Sequence, residues 1–112
     1  MNKIIETSIG RFSISVPLRT TGLFGSGMVS WNSAVEAAAR LGEGWRLPTL
    51  QECESIHLET DAFDSIEGDW VLWCMEEYEE NPDCAYIYDS AGVMTGHWNK
   101  DEEFNAVAVR TE

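Results

Sequence analysis

The spacing of hydrophobic residues changes character along the chain, and each change marks an element. Ile4, Ile5 and Thr7 stand on one side of Ile9-Gly10 and Phe12, Ile14 and Val16 on the other, a pattern that predicts a hairpin ended by Pro17. Residues 20–27 hold three glycines and read as loop. The period then becomes helical: Trp31, Ala34, Val35, Ala38 and Leu41 fall on one face, with Ser30 placed to cap the start and Gly42 the stop. A second helix is expected from Thr49 to about Leu58. From Asp69 onward β-branched and aromatic residues predict strands over 70–75, 85–88, 93–98 and 104–110, with Ser90-Ala91-Gly92 as a hairpin turn. Residues 76–83 and 99–103 lie between them as acidic, turn-forming segments. No internal repeat or low-complexity linker interrupts the pattern, so residues 1–112 are expected to form a single domain.

The two helices are joined by Trp45-Arg46-Leu47-Pro48-Thr49-Leu50-Gln51-Glu52. Thr49 and Glu52 have the spacing of a capping box, in which each side chain takes the other's backbone N–H. This tract resembles the Lcl-type bacterial domains of the C-type-lectin-like fold, which read as Thr-Gly-Leu, a helix of Trp-x-x-Ala type, and then Trp-Arg-Leu-Pro-Thr. The matching stretch runs from Thr21-Gly22-Leu23-Phe24 to Glu52. Beyond it, Trp70-Val71-Leu72-Trp73-Cys74 is similar to the family's central aromatic strand, Ala85-Tyr86-Ile87-Tyr88 to the next, and Val107-Ala108-Val109-Arg110 to the closing one. The resemblance implies an α+β, C-type-lectin-like domain: two short helices, a mostly antiparallel sheet and irregular loops at one end. Such folds host sugar binders, protein binders, phage receptor-binding domains and formylglycine-generating enzymes, so an activity has to be sought in sites.

Composition narrows the choice. With 112 residues, 44% of them hydrophobic, and five tryptophans, the chain can bury a core without metal or disulfide. No stretch is long enough to span a membrane, and Met1-Asn2-Lys3-Ile4-Ile5-Glu6 is no signal-peptide core, which points to the cytoplasm or to a processed chain. The odd count of cysteines, Cys53, Cys74 and Cys84, favours reduced thiols. Charge is unevenly distributed: residues 1–51 hold five basic and three acidic side chains, residues 52–112 two basic and seventeen acidic, within a total of −13. A field of this sign repels nucleic acid and anionic membranes and attracts basic surfaces.

Candidate chemistry concentrates in the acidic half. The run Glu76-Glu77-Tyr78-Glu79-Glu80-Asn81-Pro82-Asp83 places five carboxylates in eight residues, to be solvated or matched by a partner. Tyr78 adds an aromatic of the kind enriched in interfaces. Trp31, Trp45, Trp70 and Trp73 fall on predicted elements and belong to the core, whereas Trp98 sits beside an acidic loop, where an indole can stack on a sugar or a basic side chain. Glu80-Asn81-Pro82 and Trp98-Asn99-Lys100-Asp101 are similar to the Glu-Pro-Asn and Trp-Asn-Asp pieces of calcium-dependent lectins, but the order is altered and Lys100 intrudes, which argues against calcium. Cys53 and His57 share a helix face, yet too few partners exist for zinc, and apolar packing is the expected role of the cysteines. There is no phosphate-cradling glycine loop and no serine nucleophile motif.

These observations predict a non-enzymatic binding module without cofactor or metal. It is expected to recognise a basic protein surface, with a glycan as second choice, through Glu76, Glu77, Tyr78, Glu79, Glu80, Asp83, Trp98, Asn99 and Asp101. The alternative is an acidic inhibitor or immunity protein that mimics nucleic acid and blocks a basic partner such as a nuclease. Direct binding of nucleic acid or membrane is not expected.

Overall fold

The computed structural model describes residues 3–15, 18, 28–64, 66, 70–91 and 94–112. Thr21-Gly22-Leu23-Phe24 and the glycine-rich link, Val16, Pro17, Gly92 and Val93 lie outside the described residues. Within them the elements follow as β1 (Lys3–Thr7), β2 (Gly10–Ile14), α1 (Trp31–Arg40), α2 (Leu50–Glu59), β3 (Val71–Glu77), β4 (Cys84–Asp89), β5 (Met94–Asn99) and β6 (Val109–Thr111). The architecture is α+β, and its strands form two antiparallel three-stranded sheets, β1-β2-β6 and β3-β4-β5. The first and last parts of the chain meet in one sheet, where Ile14 pairs with Val109.

Both helices begin where their caps dictate. The Ser30 hydroxyl accepts from the Ser33 amide at 3.3 Å, and Gly42, at φ +134°, supplies the left-handed residue after the Leu41 cap. The buried face of α1 is narrower than the sequence predicts: Trp31, Ala34 and Ala38 are buried, but Val35 and Leu41 are exposed. Small alanines at one-turn spacing let the helix lie close to its sheet, and this leaves the flanking positions outside the seam. At α2 the expected capping box is present, with Glu52 N–H donating to Thr49 Oγ1 at 3.1 Å and Thr49 N–H donating to Glu52 Oε1 at 2.9 Å.

Alternation along β4 divides the core between two faces. Tyr88 joins Cys53, Ile56, Leu72 and Cys74 under α2, together with Ile5, Phe12 and Val109 of the other sheet. Ala85 and Ile87 join Trp73, Ala34 and Ala38 under α1, with Ala106 and Ala108. Four of the five tryptophans, Trp31, Trp45, Trp70 and Trp73, are buried as expected. Two of them fasten α1 to β3: Trp31 Nε1–H donates to the Cys74 carbonyl at 2.9 Å, and Trp73 Nε1–H donates to the Val29 carbonyl at 2.8 Å. The first bond serves a bulge between Trp73 and Glu77, whose Met75 amide in turn donates to the Pro48 carbonyl at 2.8 Å.

Residues 104–110 differ from expectation. They do not form one strand but a connector that visits several partners: Phe104 bridges Val29, Asn105 lies beside Leu72, and Val109 bridges Arg46 on one side and pairs with Ile14 on the other. Between these points the Ala106 and Ala108 carbonyls accept from Leu18 and Ser15 amides. Ala106, Val107, Ala108 and Val109 are buried because they pack into both core clusters, so a strand-like composition is met without a single strand ladder.

Candidate functional site

The second sheet ends in two connections, β3 to β4 and β5 to β6, and pairing of Cys84 with Asn99 places them side by side. The Lys100 amide donates to the Asp83 carbonyl at 2.8 Å and ties one loop to the other. The expected site residues therefore come together, with one exception. Glu76 lies inside β3, half-buried, and its carboxylate accepts from the Leu50 amide at 3.0 Å. It neutralises an orphan donor at the start of α2 and is a structural residue, not part of a solvated loop.

The β3–β4 turn is wired internally. Tyr78 N–H donates to the Cys84 carbonyl, Asn81 N–H to the Tyr78 carbonyl, and Asp83 N–H to Asn81 Oδ1 at 3.0 Å. The Tyr78 ring stacks on His97, with centroids 3.8 Å apart and planes 5° from parallel, and meets the edge of Tyr86 at 5.6 Å. Its hydroxyl donates to Glu80, a bond that pushes the Tyr78 pKa up. The turn is thus held in shape, and it presents Glu79, Glu80 and Asp83 to solvent. In the second connection Asn99 Oδ1 accepts from the Asp101 amide at 2.9 Å, and the Asn99 carbonyl accepts from Glu102 at 3.0 Å. Asp101, Glu102 and Glu103 are exposed there.

Lys100 is the only lysine or arginine in residues 76–103, and it is already engaged. Its ammonium lies 4.5 Å from the centre of the Trp31 ring and 3.5 Å from a Glu77 oxygen, with only 15% of the side chain exposed. This accounts for the residue that breaks the lectin-like Trp-Asn-Asp piece: it anchors the loop to α1. Asn32, Asp83, Asn99, Lys100 and Asp101 line a polar cleft of about 250 Å³. Trp98, on β5, is 51% exposed and leans edge-on against Phe104 at 6.1 Å, which packs in turn on Trp73.

Other chemistry-bearing groups serve packing. Cys53 on α2 and Cys74 on β3, expected to serve apolar packing, face each other with their sulfurs 3.7 Å apart. Burial, with the neighbouring Cys74 thiol adding to it, pushes the Cys53 thiol well up, so it is a poor nucleophile. His57 Nδ1 lies 2.8 Å from the Tyr88 hydroxyl, whose pKa burial pushes up to about 12. The pair shares one hydrogen bond under Trp70, 5.0 Å from the imidazole. Among the described residues no group of three or more His, Cys, Asp or Glu side chains is arranged to hold a metal ion, and no helix is long and apolar enough to cross a membrane.

Sequence reasoning missed the Tyr78–His97 stack, the position of Glu76 and the engagement of Lys100. No local pattern signals the first, since Tyr78 lies on the β3–β4 turn and His97 on β5. The other two depend on a bulge and a loop closure that no local pattern encodes. No family model matches the sequence, and no curated protein is significantly similar to it.

Proposed function

We propose that the protein is a non-enzymatic binding module that docks a basic protein surface on the two joined loops, with a glycan as the second choice. One observation carries this reading: Glu79, Glu80, Asp83, Asp101, Glu102 and Glu103 are all exposed on loops tied together at Lys100, whose own charge is taken up by Trp31 and Glu77. Carboxylates gathered on a braced scaffold keep their field without a compensating cation, and a cationic partner relieves it. Trp98 and the Tyr78–His97 stack flank the charges with aromatic surface of the kind interfaces favour. The buried, raised thiol and the tyrosine-paired histidine give little support to catalysis.

A C-type-lectin-like arrangement is supported by the Trp45–Glu52 tract between the two helices, by the pairing of the first strands with the last, and by the irregular loops at one end of the second sheet. The odd number of cysteines supports a reducing compartment, the cytoplasm.

The test is capture from an extract of the native host at low and then high salt, with the parent and a Glu79→Lys, Glu80→Lys, Asp83→Lys variant as baits. A protein held by the parent, released by salt and lost with the variant is the expected result. If that protein is a nuclease and its activity is blocked on binding, the module is an inhibitor that mimics nucleic acid. Identical capture by both baits at every salt concentration sinks the acidic-loop reading.

A further inference from the structure

Sheet edges in this protein are treated unequally. The outer side of β3 is met by Asn105, beside Leu72, and by the Pro48 carbonyl, and the outer side of β6 is met by Arg46, which bridges Val109. The outermost strand of the first sheet, β1, carries charges at Lys3 and Glu6, which pair with Asp61 and Arg11. Among the described residues, nothing gives strand β5 any of these protections. It reads Met94-Thr95-Gly96-His97-Trp98-Asn99, without charge or proline, and pairs with β4 in unbroken register from Cys84↔Asn99 to Asp89↔Met94. Edges of this kind are templates for strand addition unless something blunts them.

The direction of its free backbone groups follows from one bond. Lys100 N–H donates to the Asp83 carbonyl, and Lys100 continues the same register, so the alternation of an antiparallel ladder turns Trp98, Gly96 and Met94 towards β4. Thr95 and His97 then present their backbone N–H and C=O outward. Among the described residues no backbone bond reaches these two groups from the outer side. The strand ends at Asn99, where the loops carrying Glu79, Glu80, Asp83, Asp101, Glu102 and Glu103 begin, and Trp98 stands exposed next to that end.

We propose that β5 accepts an extended, lysine- or arginine-bearing segment of the partner as a fourth strand, paired to Thr95 and His97 and running its basic residues into the acidic loops. This rests on the binding reading above and names the form of the partner: an extended peptide, not a folded basic face. Main-chain pairing supplies an affinity indifferent to side chains, while the carboxylates beyond Asn99 and the Trp98 indole select cationic and apolar residues on that segment.

Amide hydrogen exchange read by NMR tests it, with a blocked Lys-Val-Lys-Val-Lys-Val peptide as probe, its Glu-for-Lys counterpart, and a copy methylated at alternate backbone nitrogens. In the free protein Thr95 and His97 amides should exchange fast while those of Gly96 and Trp98 are protected. The lysine peptide should slow Thr95 and His97 by at least about tenfold, and the glutamate and methylated peptides should not. Thr95→Pro, which removes one outward donor and leaves the β4 bonds in place, should abolish that protection at His97 while the protein still melts cooperatively. The inference is overturned if the lysine peptide perturbs only the acidic loops, if it gives no protection at millimolar concentration, or if both amides are already protected in the free chain. The first of these outcomes leaves the acidic-loop reading standing. Edge protection that survives the Glu79, Glu80, Asp83 reversal would do the opposite, retaining the edge and removing the role of the charges.

Discussion

Arg46 is the residue that makes Trp-Arg-Leu-Pro-Thr a joint. Its guanidinium forks onto Glu52 at 2.7 and 2.9 Å, donates to the Leu47 carbonyl and reaches Thr111 Oγ1 at 3.0 Å, while its backbone bridges Val109. Glu52 is 8% exposed and serves the capping box at the same time. Burial alone would raise its pKa, but the Arg46 and Thr49 hydrogen bonds outweigh it and hold the carboxyl below its ordinary value of 4.5. Removing the cation would leave a carboxylate with little access to water. Arg46→Ala is therefore expected to cost about 2–3 kcal/mol, less than for a fully buried pair because Arg46 keeps some solvent contact. Arg46→Lys, which cannot fork, should recover part of that loss. The sign of the pH dependence follows from the lowered pKa: the contribution of Glu52 is complete above about pH 4.5 and disappears as pH falls through the folded value below it. Denaturant unfolding across that window, parent against Glu52→Gln, checks it, and parallel curves would remove the assignment. Thr49→Ala should cost only about 1 kcal/mol, since Glu52 keeps Arg46.

At the scale of elements, the parts that could be read from the chain are those with local chemistry. Ser30, Gly42, Thr49 and Glu52 mark helix ends by hydrogen bonds made within four residues, and both helices start where these residues require. The hairpins were legible for the same reason. What could not be read depends on neighbours distant in sequence: the connector 104–110, whose partners are Val29, Leu72, Arg46 and Ile14, and the β3 bulge, whose groups are satisfied by Trp31 and Pro48. Composition marks the acidic turn, but it places Glu76 there because a bulge is invisible to alternation. The bulge supplies a prediction at this scale. Trp31→Phe keeps most of the apolar ring and removes the donor to the buried Cys74 carbonyl, so it should destabilise by about 1–2 kcal/mol. It also weakens the face on which Lys100 rests, so the amides of residues 100–103 should exchange faster in the variant. The Trp31 amide bond to the Lys100 carbonyl persists in the variant, so a stable variant with unaltered exchange would mean that the indole contributes nothing to bracing the loop.

Across the whole molecule the balance is set by a charge of −13 carried almost entirely by one half of the chain. Among the described residues the surface ion pairs are few and mostly exposed, Lys3–Asp61, Arg11–Glu6 and Arg40–Glu36 among them, so they neutralise little of the field in the acidic half. Like charges held on the β3–β4 and β5–β6 loops repel one another, and unfolding lets them separate. Screening should then favour the folded state: raising sodium chloride from about 20 mM to about 0.3 M is expected to lift the melting temperature by about 2–5 °C. The reversal of Glu79, Glu80 and Asp83 to lysine adds two units of charge at each position, which takes the net charge from −13 to −7. Because these side chains are exposed, no buried partner is lost, and the variant should melt at or above the parent at low salt and respond less to added salt. The same three residues are those whose reversal should abolish salt-sensitive capture of a basic partner. Stability retained with binding lost would separate a docking surface from a structural one. A parent protein whose melting temperature falls with salt, or a variant with the parent's salt response, would show that these carboxylates are independently solvated and that the repulsion a partner is proposed to relieve does not exist.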